Sequence, residues 1–274
     1  MTASPLKIGV FDSGFGGLTV LRALLPLLPG AEFLYLGDTA RLPYGSKSRA
    51  TIVRYALSST RFLLDQGADF LVIACNTASA RALEEIRGST PVPVLAVIET
   101  GANEAASSSK TREILVIGTD ATIASHAYAA ACRERGLRAL EKACPLLVPL
   151  VEEGWVDHPV TAEVIRIYLT ELLEQAQEAE LDPDTLVLGC THYPLLRPMM
   201  EAAVAPAIRV IDSAQATAAQ AAKLMAGRGG LSSARGASCE CRFFATDSVV
   251  KFQRLGARFL GSPIREVELV DLGG

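Results

Sequence analysis

The sequence predicts an α/β protein with two pseudo-symmetric domains, each built from a parallel sheet flanked by helices. Short apolar runs recur along the chain, stretches with helical spacing separate most of them, and some segments occur in two similar copies. Apolar runs that are bounded by turn residues and alternate with helices are typical of parallel strands covered on both faces. The similar copies indicate that one domain arose by duplication of the other.

The predicted strands are eight apolar runs rich in β-branched or aliphatic residues, each bounded by polar or turn-forming residues. In chain order they are residues 7–13, 32–38, 69–75, 92–98, 113–119, 185–190, 208–213 and 266–272. The longer stretches with helical spacing are residues 16–28, 48–66, 77–87, 121–135, 159–179 and 214–226. Strands and helices therefore alternate along most of the chain.

Composition limits the classes of function. The chain has 274 residues, of which 50% are hydrophobic, enough to bury a core in one large or two smaller domains. Its net charge is −4 and it contains no basic block, so we expect no nucleic-acid partner. No apolar stretch approaches the ~18 to 20 residues of a membrane span, and no signal peptide is evident. We therefore expect a cytoplasmic protein without a membrane partner.

The cysteines are expected to be free thiols, because a cytoplasmic chain of this size does not need a disulfide framework. They are Cys75, Cys132, Cys144, Cys190, Cys239 and Cys241. Two close pairs, Cys239 with Cys241 and Cys190 with His192, lack the spacing and the matching second pair of a structural zinc site. We predict no metal site, and we interpret Cys132 and Cys144 as small buried hydrophobic residues.

Side chains able to bind or react follow nearly every predicted strand. They are Asp12-Ser13, Asp38-Thr39, Cys75-Asn76-Thr77, Glu99-Thr100, Thr119-Asp120, Cys190-Thr191-His192 and Asp212-Ser213. Ligands of parallel sheets bind beyond the carboxyl ends of the strands, so we expect the site there. Any one Ser, Thr, Asp or Asn at these ends can simply cap a helix, whereas thiols are poor caps. The two cysteines therefore indicate chemistry.

The two cysteine segments resemble each other. The segment around Cys75 reads DFLVIACNTASARAL and that around Cys190 reads DTLVLGCTHYPLLRP, while KIGVFDSGFGGLTVL is loosely matched by EILVIGTDATIASHA. If the halves are copies that face each other, two thiols meet in one cleft. A chance match between common strand sequences is the alternative. The glycines at 14–17 lack nucleotide-loop spacing, so we expect them to allow a tight turn and close backbone approach.

Two opposed thiols suit inversion at an acidic carbon, where a base removes a proton from one face and an acid returns one to the other. A thiol with a pKa of about 8.5 needs only a modest shift to act as the base. Hydroxyl, amide and helix N-terminal groups would hold a charged substrate. The alternatives are a cysteine hydrolase that uses Cys190 with His192, a pyridoxal-phosphate racemase and a non-catalytic binding protein with two lobes.

Five separated motifs resemble, in order, those of the cofactor-independent aspartate/glutamate racemase superfamily, and within it the bacterial glutamate racemases. They are VFDSGFGGLTV at 10–20, GDTARLPYGSKS at 37–48, ACNTASA at 74–80, VIGTDATIAS at 116–125 and GCTHYPLL at 189–196. The segment FFATDSVVKF near the C-terminus also fits. No motif position departs from the family pattern.

The resemblance implies interconversion of L- and D-glutamate without a cofactor, with Cys75 and Cys190 as acid/base groups for the two faces of the α-carbon. It implies that Asp12 supports Cys75 and that His192 and Glu152 assist Cys190. The implied substrate site comprises Asp12, Ser13, Pro43, Tyr44, Gly45, Asn76, Thr77, Thr119, Thr122, Thr191 and His192. Aspartate racemisation is the alternative, because residue types at strand ends do not measure pocket length.

The resemblance also implies a domain organisation and a cellular role. The first domain would comprise residues 1–97 and 211–274 and the second residues 98–210, with the active site in the cleft between them. A homodimer is expected, supplying D-glutamate for peptidoglycan synthesis and hence for cell wall biogenesis and cell shape.

Overall fold

The computed structural model describes residues 5–204, 206–226 and 239–273. Within these residues, ten strands form two sheets in which every pairing is parallel. The strands are β1 Lys7–Asp12, β2 Glu32–Gly37, β3 Phe70–Ile73, β4 Val94–Ala96, β5 Glu113–Gly118, β6 Arg138–Ala143, β7 Thr185–Gly189, β8 Arg209–Asp212, β9 Glu240–Ala245 and β10 Glu268–Leu269. The predicted α/β class with two parallel sheets is confirmed.

Helices connect most of the strands and cover the sheets. They are α1 Leu18–Leu24, α2 Arg49–Asp65, α3 Asn76–Ser89, α4 Val97–Ser108, α5 Asp120–Ile123, α6 Ala127–Arg133, α7 Leu147–Glu152, α8 Pro159–Glu178, α9 Arg197–Ala203, α10 Ala214–Met225 and α11 Val249–Leu260. Short 3₁₀ turns occur at Leu25–Leu27, Tyr44–Ser46 and Tyr193–Leu196. In the described part of the chain, no helix has both the length and the apolar character needed to cross a membrane.

The two sheets share the same central order of strands. The first runs β10-β9-β2-β1-β3-β4 and the second β6-β5-β7-β8, so the last four strands of the first match the four of the second. Cys75 follows β3 and Cys190 follows β7, which occupy equivalent positions. This order is what an internal duplication predicts, and it presents the two cysteines from corresponding strand ends.

The predicted domain boundaries remain a prediction. The two sheets show to which sheet the strands near these boundaries belong. The C-terminal strands β9 and β10 join the first sheet, where β9 pairs with β2 along six residues. The predicted boundary between 210 and 211 falls inside β8, a strand of the second sheet. Residues 1–4, 227–238 and 274 of the predicted first domain lie outside the described residues.

The sequence does not predict strands β6 and β9 or helices α4, α7, α9 and α11. Strand β6 reads RALEKA and is only partly buried, so it lacks the continuous apolar run that marks β3 or β7. The helix predicted over 121–135 is two helices, α5 and α6, because His126 adopts a φ of 55° between them. That left-handed conformation cannot continue an α-helix.

The end of β2 packs closely on the turn that follows β1. A Cβ added at Gly37 would overlap the Gly14 carbonyl oxygen and lie 2.7 Å from the ring of Phe252. Tyr35 donates a hydrogen bond from Oη to the same carbonyl oxygen at 3.2 Å. Residue 37 therefore needs to be glycine for reasons of space, and this packing fixes the turn at residues 13–17.

We expect Gly37→Ala to lower the free energy of unfolding by roughly 1–3 kcal/mol, since the new methyl group overpacks a rigid backbone contact. Urea unfolding measures the change. Gly88→Ala is the matched control, because it lies in α3 with no atom within 4 Å of an added Cβ. It should raise the stability by roughly 0.5–1 kcal/mol, as expected for replacing a helical glycine. Equal effects of the two substitutions would contradict this account.

Candidate active site

A cavity of about 300 Å³ lies where strand ends of the two halves meet. Twelve predicted site residues line it: Ser13, Pro43, Tyr44, Gly45, Cys75, Asn76, Thr77, Thr119, Glu152, Cys190, Thr191 and His192. The two others, Asp12 and Thr122, are fully buried behind the lining. The size suits a small molecule with a few polar groups.

One wall of the cavity was missed by sequence reasoning. Pro145, Val148 and Pro149 line it from the segment that follows β6. Ser46 is a further lining residue that the sequence does not single out. The rule that ligands bind at strand ends would have found this wall if β6 had been predicted.

Cys75 ends the connection from β3 and caps helix α3. Its sulfur accepts a hydrogen bond from the Ala78 N–H at 3.4 Å and contacts Ser13 Oγ, also at 3.4 Å. Cys75 therefore caps this helix, although thiols are in general poor caps. The pKa of the Cys75 thiol is raised to about 12, mainly by burial and to a smaller extent by the nearby Asp12 carboxyl group. Hydrogen bonds with Ser13 and the Ala78 N–H oppose this rise.

Asp12 lies beneath Cys75 at the end of β1. Its Oδ2 accepts a hydrogen bond from the Gly14 N–H at 2.9 Å, while Oδ1 is buried with no hydrogen-bond partner. Burial raises the pKa of this carboxyl group, and His192 and the backbone N–H groups of the turn oppose that rise. Asp12 therefore acts on the site as a buried acidic group rather than as part of its lining.

Cys190 follows β7 and lies beside His192. Its sulfur is 3.9 Å from His192 Nδ1, and the opposite ring nitrogen, Nε2, lies 3.4 Å from Glu152 Oε1. The second contact is an ion pair without hydrogen-bond alignment, because Nε2 has no geometrically suitable acceptor. Burial lowers the pKa of His192, but the contacts with Cys190 and Glu152 outweigh burial and raise it to about 10. A charged imidazolium thus lies within reach of the sulfur.

Glu152, at the end of α7, is shared between two cations. Its Oε1 faces His192, and its Oε2 lies 3.2 Å from Lys251 Nζ. Burial raises the pKa of Glu152, but His192 and Lys251 outweigh it and lower the pKa below its ordinary value. The group is therefore a carboxylate in the resting site.

Asn76 begins helix α3 with an amide whose orientation is fixed. Tyr128 Oη donates a hydrogen bond to Asn76 Oδ1 at 2.7 Å, which leaves Nδ2 buried without an acceptor. A buried donor that lacks a partner is costly unless a ligand supplies one. Because Asn76 lines the cavity at a helix N-terminus, it is suited to a carboxylate.

Three threonine hydroxyls meet beside that helix N-terminus. Thr77 Oγ1 lies 2.9 Å from Thr119 Oγ1 and 3.2 Å from Thr122 Oγ1, and the last two are 3.0 Å apart. Thr77 belongs to α3 in the first half, whereas Thr119 caps α5 in the second. The cluster joins the two halves and offers hydroxyl groups to the cavity.

The segment carrying Pro43, Tyr44 and Gly45 closes another side. Tyr44 is buried and donates a hydrogen bond from Oη to Asp38, a buried carboxylate that also accepts from Thr246 Oγ1 at 2.9 Å. These bonds hold the segment rigidly against the first sheet.

Glycines allow the halves to touch without a side chain between them. A Cβ at Gly16 would overlap Thr191 Oγ1 and lie 2.6 Å from His192 Nδ1. A Cβ at Gly45 would lie 2.8 Å from Thr119 Cβ. The close backbone approach expected for the glycines at 14–17 is confirmed at Gly16.

Metal-binding groups were also sought around the cysteines and carboxylates. Among the described residues, no three His, Cys, Asp or Glu side chains are grouped as metal ligands would be. The cavity lining offers two thiols, one imidazole ring, three carboxyl groups, an amide and several hydroxyls.

Known proteins resemble this chain over nearly its whole length. A family model described as Asp/Glu/Hydantoin racemase matches residues 16–221. A glutamate racemase of Koribacter versatilis is 53% identical over 287 aligned residues, covering 97% of this chain and 98% of that protein. A crystal structure of a glutamate racemase isoform from Bacillus anthracis has a TM-score of 0.89 at 35% identity and covers 99% of both chains. That of Francisella tularensis glutamate racemase in complex with D-glutamate has a TM-score of 0.87 at 34% identity, covering 97% of this chain and 98% of that one.

The raised pKa of His192 predicts how stability depends on pH. A group whose pKa rises on folding, here from 6.5 to about 10, stabilises the fold fully below pH 6.5. This contribution is lost as the pH rises towards 10. We expect the free energy of unfolding, measured in urea, to fall between about pH 6.5 and 8.5. The fall should be smaller in His192→Gln, because that variant lacks the titrating ring.

The exposed His158 provides the matched control for this measurement. His158→Gln should retain the wild-type slope, since that side chain lies on the surface at the start of α8. Parallel curves for the wild type and His192→Gln would show that the contacts of His192 with Cys190 and Glu152 do not raise its pKa.

Proposed function

The chain belongs to the Asp/Glu/hydantoin racemase family, and on that premise we propose that it interconverts L- and D-glutamate by proton transfers between two thiols and the α-carbon. It is an isomerase, like the glutamate racemases that match it over nearly their full length. The observation that carries the mechanism is the placement of Cys75 and Cys190 on one cavity, at the ends of equivalent strands of two sheets.

In the proposed reaction, one cysteine begins as a thiolate and the other as a thiol. The thiolate takes the α-proton from one face and becomes a thiol, and the opposite thiol gives its proton to the other face and becomes a thiolate. The electron pair of the broken C–H bond is held at the α-carbon and its carboxylate until the new C–H bond forms. The reverse reaction exchanges the two roles, and no further cofactor is needed for proton balance.

The surroundings of the two thiols differ in charge. Near Cys75 lies the buried Asp12, which opposes formation of a thiolate, so a bound substrate ammonium group would offset that negative charge. Near Cys190 lies the His192 imidazolium, which can give a proton to the Cys190 thiolate and, once neutral, can take one back from the thiol. Asp12 therefore favours the thiol form of Cys75 while no substrate is bound, whereas His192, paired with Glu152, exchanges protons with Cys190.

Several donors are placed to hold the substrate carboxylates. The free Nδ2 of Asn76 and the N-terminus of α3 suit one carboxylate, with the hydroxyls of Thr77 and Thr119 beside them. Hydrogen bonds to this carboxylate stabilise the negative charge that develops when the α-proton leaves. Ser13, Thr191 and the segment at 43–45 supply the remaining polar lining.

The biological role and the assembly are also part of the proposal. We infer cytoplasmic synthesis of D-glutamate for peptidoglycan, and thus a part in cell wall biogenesis and cell shape. A homodimer and the absence of a nucleic-acid or membrane partner complete the inference. The resemblance in sequence motifs supports the role in peptidoglycan synthesis and the homodimer. Composition supports the absence of a nucleic-acid or membrane partner.

We expect Cys75→Ala and Cys190→Ala each to abolish steady-state racemisation, with a loss of at least ~10³-fold, because every turnover uses both faces. Cys132→Ala is the matched control, since this thiol is fully buried away from the cavity lining. It should retain the rate at some cost in stability. Circular dichroism of glutamate measures all three, and undiminished activity in either site variant would exclude the two-thiol mechanism.

The choice of substrate is tested with the wild-type protein alone. Incubation with L-glutamate should bring its circular dichroism signal to zero, whereas L-aspartate should keep its signal under the same conditions. The relatives that match nearly the full chain are glutamate racemases, which makes aspartate the more distant alternative. Loss of the aspartate signal at an equal rate would contradict selectivity, and no change with either amino acid would reject the proposed function.

A further inference from the structure

Helix α11, in the C-terminal part of the chain, contacts the two residues that lie beside Cys190, His192 and Glu152. It follows β9 of the first sheet, whereas Glu152 belongs to α7 of the second half. Lys251 Nζ lies 3.2 Å from Glu152 Oε2, and the Phe259 ring meets the His192 ring edge-on at 5.1 Å between centroids. One face of α11 therefore touches both residues that assist Cys190.

These groups form a continuous series from the cavity towards water. Cys190 contacts His192, His192 pairs with Glu152, and Glu152 pairs with Lys251 at the outer end. Side-chain exposure rises along it from 8% for His192 to 14% for Glu152 and 40% for Lys251. Only the last member has substantial access to solvent.

We propose that Lys251 is a positioning residue for this reaction: by holding Oε2 of Glu152, it keeps Oε1 against His192 and so maintains the His192 ring beside Cys190. The inference rests on the proposed function, in which Cys190 exchanges a proton with the α-carbon. Lys251 touches neither the cavity nor the sulfur, and it acts through Glu152 alone.

The geometry favours positioning over a contribution to stability. A pair with one partner 40% exposed adds little to the free energy of unfolding. The contact of Glu152 with His192, in contrast, is long and poorly aligned for a hydrogen bond, so its geometry depends on what else holds the carboxylate. The ammonium group of Lys251 also lies over the ring of Phe15, whose centroid is 5.5 Å from Nζ.

The charged and titratable groups that face His192 come from two other elements and from its own segment. Asp12 lies at the end of β1 and Glu152 at the end of α7, while Cys190 precedes His192 in its own segment. Helix α11 presents Phe259 to the ring and Lys251 to Glu152. Loss of Lys251 removes a positive charge, which directly raises the pKa of His192, whereas release of Glu152 lowers it. The direction of the change therefore distinguishes positioning from simple charge removal.

The test compares Lys251→Met, Lys251→Arg and Arg254→Met with the wild type. Methionine keeps the apolar stem without the charge, arginine keeps the cation, and Arg254 is an exposed cation on the same helix. NMR titration of the ring protons follows His192, one of only three histidines in the chain. Racemisation is measured from both enantiomers.

We expect Lys251→Met to lower the pKa of His192 and to reduce kcat/KM on the order of tenfold, a part of what general acid–base assistance contributes. The reduction must be equal from L- and D-glutamate, because enantiomers have the same free energy in water. Lys251→Arg should restore most of the activity, and Arg254→Met should resemble the wild type. In a Glu152→Gln background, Lys251→Met should have no further effect.

An unchanged or raised pKa of His192 in Lys251→Met, or an undiminished loss of activity in the Glu152→Gln background, would overturn the inference. These results are distinct from failure of the proposed function. If the wild type did not racemise glutamate, that function would be rejected, while the NMR titration of the resting protein would still decide whether Lys251 positions Glu152 against His192.

Discussion

The site depends on close contact between two halves of the chain at positions with no room for a side chain. Gly16 in the first half lies against Thr191 and His192 in the second, and Gly45 lies against Thr119. These approaches bring the carboxyl ends of two parallel sheets onto one cavity. Parallel strands all present their carboxyl ends at one edge, so joining two such edges concentrates polar side chains in a small volume.

The symmetry of the backbone does not extend to the charges around the two sulfurs. Strands β3 and β7 are equivalent, but β1 ends in Asp12 whereas β5 ends in Gly118. Cys75 is therefore buried with a carboxyl group and a serine, and Cys190 with an imidazolium that is itself paired. In the proposed reaction, the equivalent strands place two thiols in matching positions, and the different neighbours give each thiol its own acid or base behaviour.

The sequence predicted much of this because the strands that carry the site are the most buried ones. Strands β3 and β7 are apolar throughout, so their ends, with Cys75 and Cys190, stand out against the preceding residues. Strand β6 carries arginine, glutamate and lysine, so it was not predicted, and the cavity wall at Pro145–Pro149 was missed with it. The cap formed by Cys75 could not be predicted either, since it depends on where the chain turns after β3.

Long-range pairing is the other part that sequence patterns cannot supply. Strand β9 pairs with β2, which lies about 200 residues earlier in the chain. The apolar part of β9 is too short for the sequence to predict a strand there. Once β9 is placed, α11 must cross from the first sheet to the second half, where Lys251 and Phe259 reach Glu152 and His192. The segment that completes the first sheet thus also determines the surroundings of the thiol in the second. Any displacement of α11 would change the packing on His192 and the charge near Glu152 together, so the two halves cannot vary independently at this site.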